Sequence, residues 1–89
     1  MVTSFILMNV KRQAVNDIAE ALLNLSGISE VYSVTGQYDL VAIARVNNND
    51  DLAELVTDKL SKIDDIERTD TMLAFKTYSR HDLDAMFAV

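Results

Sequence analysis

Gly27-Ile28-Ser29-Glu30-Val31-Tyr32-Ser33-Val34-Thr35-Gly36-Gln37-Tyr38-Asp39-Leu40-Val41-Ala42-Ile43-Ala44 reads as two strands joined by a tight polar turn at Gly36-Gln37-Tyr38-Asp39. Both glycines of the chain fall in this stretch. Gly27 sits where a preceding helix should stop and Gly36 where a strand must reverse, and glycine takes positive φ without Cβ strain. The turn leaves one carboxylate, Asp39, beside free backbone groups at a strand end. That arrangement suits a small zwitterion, with the carboxylate facing its ammonium.

Working outward, Val2 to Val10 is an apolar strand with Phe5 and Leu7 on one face and Ile6, Met8 and Val10 on the other. From Lys11 to Leu25 the period changes. Val15, Ile18, Ala19, Leu22 and Leu23 recur at helical spacing and form one apolar face. Ile28 to Thr35 is a second strand. Leu40 to Val46 is a third, apolar on both faces except at Arg45. Asn47-Asn48-Asn49-Asp50-Asp51 favours turns and helix caps, and Asp51 with Glu54 has capping-box spacing. Leu52, Leu55, Val56, Leu60 and Ile63 trace a second helical face. Ile66 to Tyr78 holds a fourth strand. Ser79 to Val89 reads as a short C-terminal helix using Leu83, Met86 and Phe87.

The order β-α-β-β-α-β predicts an α+β fold of the ferredoxin-like class, with a four-stranded antiparallel sheet and two helices on one face. An echo at an offset of 38 residues supports it: Ile18 answers Val56, Leu22 answers Leu60, and Ile28 answers Ile66. Residues 1–80 form the domain and 81–89 a helical tail. An antiparallel sheet with one wet face should alternate apolar and polar residues. The first and third strands do not alternate, so the face away from the helices needs an apolar cover. A second copy stacked sheet to sheet, burying roughly 800 Å² per partner, would supply it. The tail folding back through Met86 and Phe87 is the smaller alternative.

Composition narrows the function. The 89 residues carry 49% hydrophobic side chains, no cysteine and no proline, which excludes disulfides and cysteine metal sites. A small apolar-rich domain often completes its core by oligomerising. No apolar run approaches the ~20 residues of a membrane span, and Met1-Val2-Thr3-Ser4 has no basic leader. A cytoplasmic location is the expectation. Net charge is −6, with eight scattered cations against fourteen acids, so the clustered cations of a nucleic-acid surface are missing. Lys11-Arg12 reads as a solvated strand–helix junction.

Other constellations reduce to structure. Ser79, His81 and Asp82 lie too close in sequence for triad geometry and read as a helix start. Residues 47–51 lack the glycine and distal Glu of a calcium loop. Asp64 and Asp65 point apart, which makes a poor acid–base pair. Asp39 can cap its own turn and Tyr38 can simply pack. Thr69 and Thr71 also suit a strand by propensity alone. Arg45 is expected in a structural ion pair, across a dimer or with Glu67 or Asp70.

Gly27-Ile28, Val34-Thr35-Gly36 and Tyr38-Asp39-Leu40, in this order and spacing, resemble the effector domain of the Lrp/AsnC transcription regulators, called RAM for regulation of amino-acid metabolism. The stretch "IERTDTMLAFKTYSR" resembles that family's last strand, and the likeness spans nearly all of residues 2–80. Two departures stand out. The family's Pro-Gly-[Val/Ile] before the last strand is Asp64-Asp65-Ile66 here. The chain also opens directly at the first strand of the effector domain, as the stand-alone RAM proteins do, so DNA recognition does not carry over.

The resemblance implies a non-catalytic amino-acid-sensing oligomer with no cofactor. Its sheets would pair as a dimeric α+β barrel, and dimers would assemble into tetramers, octamers or rings. The amino acid would sit at dimer–dimer contacts. By motif, Gly36, Gln37, Tyr38 and Asp39 would form one wall of its site, and Thr69 and Thr71 the other. Docking on a full-length Lrp/AsnC regulator is a compatible role. The competing reading is a cofactor-free enzyme, because the same barrel hosts monooxygenases and isomerases. Such an enzyme needs a His, Tyr or Arg aimed into the cavity between sheet and helices, and no His precedes residue 81.

Overall fold

Two helical segments lie on one face of a four-stranded antiparallel sheet in a computed structural model that describes residues 1–80. The expected C-terminal helix on 81–89, with His81, lies outside the described residues. The strands are β1 (Val2–Val10), β2 (Ile28–Ser33), β3 (Leu40–Val46) and β4 (Ile66–Leu73), in the sheet order β2-β3-β1-β4. β1 is therefore central and pairs antiparallel with both β3 and β4. β1 and β3 have the expected bounds. β2 and β4 end earlier than expected, although Ala74 N–H still donates to the Thr3 carbonyl at 2.9 Å.

The apolar parity of β1 sorts its side chains. Ser4, Ile6, Met8 and Val10 are at most 4% exposed and face the helices. They pack with Ala14, Ile18, Leu22, Leu40, Ala42, Ala44, Leu55 and Leu60 in one core. Burying a Leu or Met side chain fully contributes about 1.5–3 kcal/mol, so this layer dominates stability. Among the described residues its one buried polar side chain is Ser4, which donates its hydroxyl to the Met72 carbonyl at 2.9 Å.

The helix α1 (Val15–Leu23) follows a 3-10 turn (Arg12–Ala14) and places Ile18 and Leu22 against the sheet. It ends through Asn24, whose N–H bonds back to Ala21, and Gly27 then reverses the chain at φ 101°. The Gly27 carbonyl accepts from Arg45 N–H at 2.8 Å, which ties the helix end to β3.

The second helical segment spans 49–62 and changes pitch twice. An α-helical start, α2 (Asn49–Glu54), runs into a π turn (Leu55–Lys59) and a 3-10 turn (Leu60–Lys62). Its N-cap is Asn48, not Asp51. The extended backbone of Asn48, φ −155°, lets its Oδ1 accept from Asp51 N–H at 2.8 Å. The capping-box spacing of Asp51 and Glu54 was a coincidence of an acid-rich first turn.

Among the described residues no helix covers the other face of the sheet, where Ile43 is buried and Phe5 and Leu7 are partly exposed. Phe5 and Leu7 stand opposite Ile43 and Val41 of β3 and opposite Met72 and Asp70 of β4, while Tyr32 of β2 faces Val41. The apolar row expected there is present. Tyr32 and Met72 are about half exposed, and Phe75 and Tyr78, beyond β4, are more so.

The two glycines differ in what a side chain would meet. A Cβ on Gly27 would lie 2.9 Å from Val46 Cγ1, whereas one on Gly36, φ 107°, would meet nothing within 4 Å. Gly27→Ala is expected to lose about 1–3 kcal/mol from backbone strain and crowding together, and Gly36→Ala less. Urea unfolding followed by circular dichroism measures both.

Candidate functional site

The 36–39 turn is not a free hairpin tip, because it folds across the end of β1. Asp39 N–H donates to the Met8 carbonyl at 2.9 Å, and the Asp39 carbonyl accepts from Val34 N–H at 3.0 Å. The Asp39 carboxylate Oδ2 accepts from Val10 N–H at 2.9 Å. Asn9 Nδ2 donates to the Gln37 carbonyl at 2.7 Å. The β1–β3 pairing ends at Met8 and Leu40. The Val10 N–H lies beyond that ladder on the same side, and Asp39 satisfies it. Asp39 does not cap its own turn as the sequence suggests: its carboxylate accepts from β1 instead. The second carboxylate oxygen, Oδ1, makes no hydrogen bond to a described residue.

Tyr38 carries the turn on to the edge strand. Its hydroxyl donates a hydrogen bond to Asp70 Oδ2. Arg68 lies with its guanidinium carbon 5.9 Å from the Tyr38 ring centroid and Nη2 3.5 Å from Asp70 Oδ2. The register explains the grouping. Asn9 pairs with Arg68 and Leu7 with Asp70, so both β4 side chains stand on the open face beside the turn. The hydrogen bond to Asp70, aided by partial burial and that carboxylate's charge, raises the Tyr38 phenol above its ordinary value; the Arg68 cation opposes the rise.

Thr69 and Thr71 are one residue out of phase with this cluster. They pair with Met8 and Ile6 and so share the helix-side face. Thr69 lines a cleft of about 210 Å³ there, with Val56, Leu60, Ile63 and Ile66. The structure thus gathers Gln37, Tyr38 and Asp39 with Asn9, Arg68 and Asp70, and sets Thr69 and Thr71 apart. Arg68 and Asp70 were missed because the pairing of β1 with β4 is not written in either strand alone. A two-residue parity count along β4 separates them from the threonines once the register is known.

Arg45 forms the expected structural ion pair, but with a different acid of its own subunit. Its Nη1 lies 2.5 Å from Ser29 Oγ and 3.6 Å from Glu30 Oε1, in place of Glu67 or Asp70. A bulge between Ile28 and Glu30 brings both β2 residues to the same stretch of β3. Lys11 meets Asp65 at 3.6 Å across the strand–helix junction. Among the described residues no group of three or more His, Cys, Asp or Glu is placed to hold a metal ion, and no helix is long and apolar enough to cross a membrane. The space between sheet and helices, where an enzyme of this fold would work, is filled by Ile6, Met8, Leu22, Leu40 and Leu55.

The family model for the Lrp/AsnC ligand binding domain matches residues 3–84. The HTH-type transcriptional regulator FL11 of Pyrococcus furiosus is 34% identical over 77 residues, covering 86% of this chain and 50% of that protein. The chain spans about half the length of the curated relatives it matches. Among solved structures, TTHA0845 from Thermus thermophilus is 41% identical with a TM-score of 0.84, covering 90% of this chain and all of that one. A transcriptional regulator of Neisseria meningitidis, solved as an L-Met complex, shares the fold at 16% identity and a TM-score of 0.80, over 89% of this chain and 53% of that one.

Two outcomes follow from the geometry. Asp39→Ala leaves the Val10 N–H without an acceptor at a nearly buried residue and should cost about 1–3 kcal/mol in urea unfolding, whereas Asp39→Asn, which keeps an oxygen there, should cost clearly less. Tyr38 should ionise above the ordinary tyrosine value of about 10. Its raised pKa means that the neutral phenol's bond to Asp70 is intact below that ordinary value and is lost as pH climbs through Tyr38's own, higher one. Asp70→Asn should bring the transition back down, read by NMR of ring-labelled tyrosine.

Proposed function

The chain belongs to the Lrp/AsnC ligand-binding domain family, and from that premise we propose that it senses a free amino acid without catalysis and works as a homo-oligomer. The observation that carries this reading is the 36–39 turn, stitched to β1 with a carboxylate oxygen to spare. An α-amino acid carries one ammonium and one carboxylate. Asp39 suits the ammonium, since charge-assisted hydrogen bonds are the stronger kind. The exposed backbone of Gly36 and Gln37 and the ring of Tyr38 form the rest of this wall. Thr69 and Thr71 would reach a ligand only from across the β4 edge, as helix-side contacts. The L-Met complex of the Neisseria regulator supports the ligand class, and the apolar layer between sheet and helices supports a non-catalytic role.

The open face supports the oligomer. Phe5, Leu7, Val41 and Met72 form an apolar band that a twin sheet would cover, giving a dimeric α+β barrel. Dimers would then associate around the turn into tetramers or larger rings, and the same surface would accept a full-length regulator of this family. A cytoplasmic setting fits relatives that are transcription regulators.

A thermal-shift screen against the twenty amino acids tests the sensing role, because a ligand bound only by the native state raises the apparent Tm by mass action. At least one amino acid should do so, and Asp39→Asn should weaken its binding at least tenfold in calorimetry with the fold intact. Flat curves for all twenty would end the reading. Sedimentation velocity at micromolar concentration should return a dimer or larger, and Leu7→Asp, which sets a charge in the centre of the band, should return single subunits.

A further inference from the structure

The turn supplies an acid but no cation, and the net charge of −6 makes a carboxylate unwelcome without one. Lys11 is engaged with Asp65, and Arg45 with Glu30 and Ser29. Arg68 is different. It stands directly across from Asn9, whose side chain holds the Gln37 carbonyl of the turn, so it lies one strand spacing from the turn's anchor. Its side chain is 66% exposed. Its polar contact with a described residue is the 3.5 Å approach to Asp70 Oδ2, the same oxygen that already accepts from Tyr38. A guanidinium presents five donors in a rigid fork that matches a carboxylate two bonds at a time. Most of that fork is unengaged among the described residues. An exposed pair at such a distance contributes little to stability, so an incoming carboxylate displaces it at small cost.

We propose that Arg68 is the residue that binds the ligand's α-carboxylate, with Tyr38 and Asp70 as its positioning pair. This rests on the reading that an amino acid binds at the 36–39 turn, and it assigns the two charges of that ligand to different elements. Asp39 of the turn takes the ammonium and Arg68 of β4 takes the carboxylate. The Tyr38 ring flanks the guanidinium from the turn side, and Asp70 holds the Tyr38 hydroxyl, so the cation stays beside the turn. Binding would then clamp the turn to the edge strand through the ligand.

Calorimetry with each L-amino acid that shifts the melting point, and with its α-carboxamide, tests the assignment. The carboxamide keeps the ammonium and side chain and loses the anionic group. The native chain should prefer the free acid by about tenfold or more, the size expected for losing a charge-assisted bidentate contact. Arg68→Gln should bring the acid down to the carboxamide's affinity and leave the carboxamide where it was, and Arg68→Lys should recover part of the preference. Tyr38→Phe, which frees Asp70 but keeps the ring, should lower the preference less than Arg68→Gln. If Arg68→Gln keeps the native preference, or weakens acid and carboxamide equally, Arg68 is not the carboxylate's partner, while binding at the turn stands. If the native chain binds no amino acid, the turn site itself falls and the assignment with it.

Discussion

A sheet has two faces, and among the described residues helices lie on only one of them. That constraint organises the molecule. β1, at the centre, is apolar in both parities, and the helix-side parity is sealed to a few per cent exposure. The opposite parity is left to Phe5 and Leu7, flanked by Val41, Ile43 and Met72. Small domains bury a modest share of their surface, so leaving such a row in water wastes stability that a chain of this size can hardly spare. The apolar second face and the one-sided core have the same cause, a central strand apolar in both parities.

The same central strand fixes the site. The 36–39 turn hangs on the last residues of β1 by way of Met8, Asn9 and Val10. β4 pairs with the opposite edge of that strand end, so the turn and β4 meet across it without touching through their backbones. Side chains close the gap: Tyr38 reaches Asp70, and Arg68 lies against Tyr38. The result is a polar corner with both signs of charge, set at the rim of an apolar face. Where a second copy covers that face, the corner sits at the edge of the covered area. On the proposed reading, a ligand there would act on assembly by contact, without a change transmitted through the core.

Much of the fold was legible in the sequence because it depends on periodicity. β1 and β3 were read to their end residues, since runs apolar in both parities leave little choice. The two helical faces were legible from their spacing, and Gly27 from its position after them. What was not legible depends on irregularity. The Ser29 bulge moves Glu30 beside Arg45, which no alternation pattern shows. The cap went to Asn48 because its backbone is extended, a property of conformation and not of spacing. Half of the candidate site was readable, because Gly36 to Asp39 announce a turn by composition. The other half was not. Arg68 and Asp70 join it through their pairing with Asn9 and Leu7 of β1, and tertiary pairing over thirty residues leaves no local trace.

The π turn at Leu55–Lys59 carries its own implication. Such a turn accommodates one residue more than α geometry would, and each residue of an α-helix advances the helix by about 100°. The wider turn absorbs the extra residue, so that Leu60, five positions after Leu55, comes round to the core on the same face. Removing one residue inside the turn would set Leu55 and Leu60 four apart, about 400° round at α pitch, and so still on one face. The second helical segment thus already holds one residue beyond what its phasing needs, and this turn is where it could lose a position with both leucines still directed at the core.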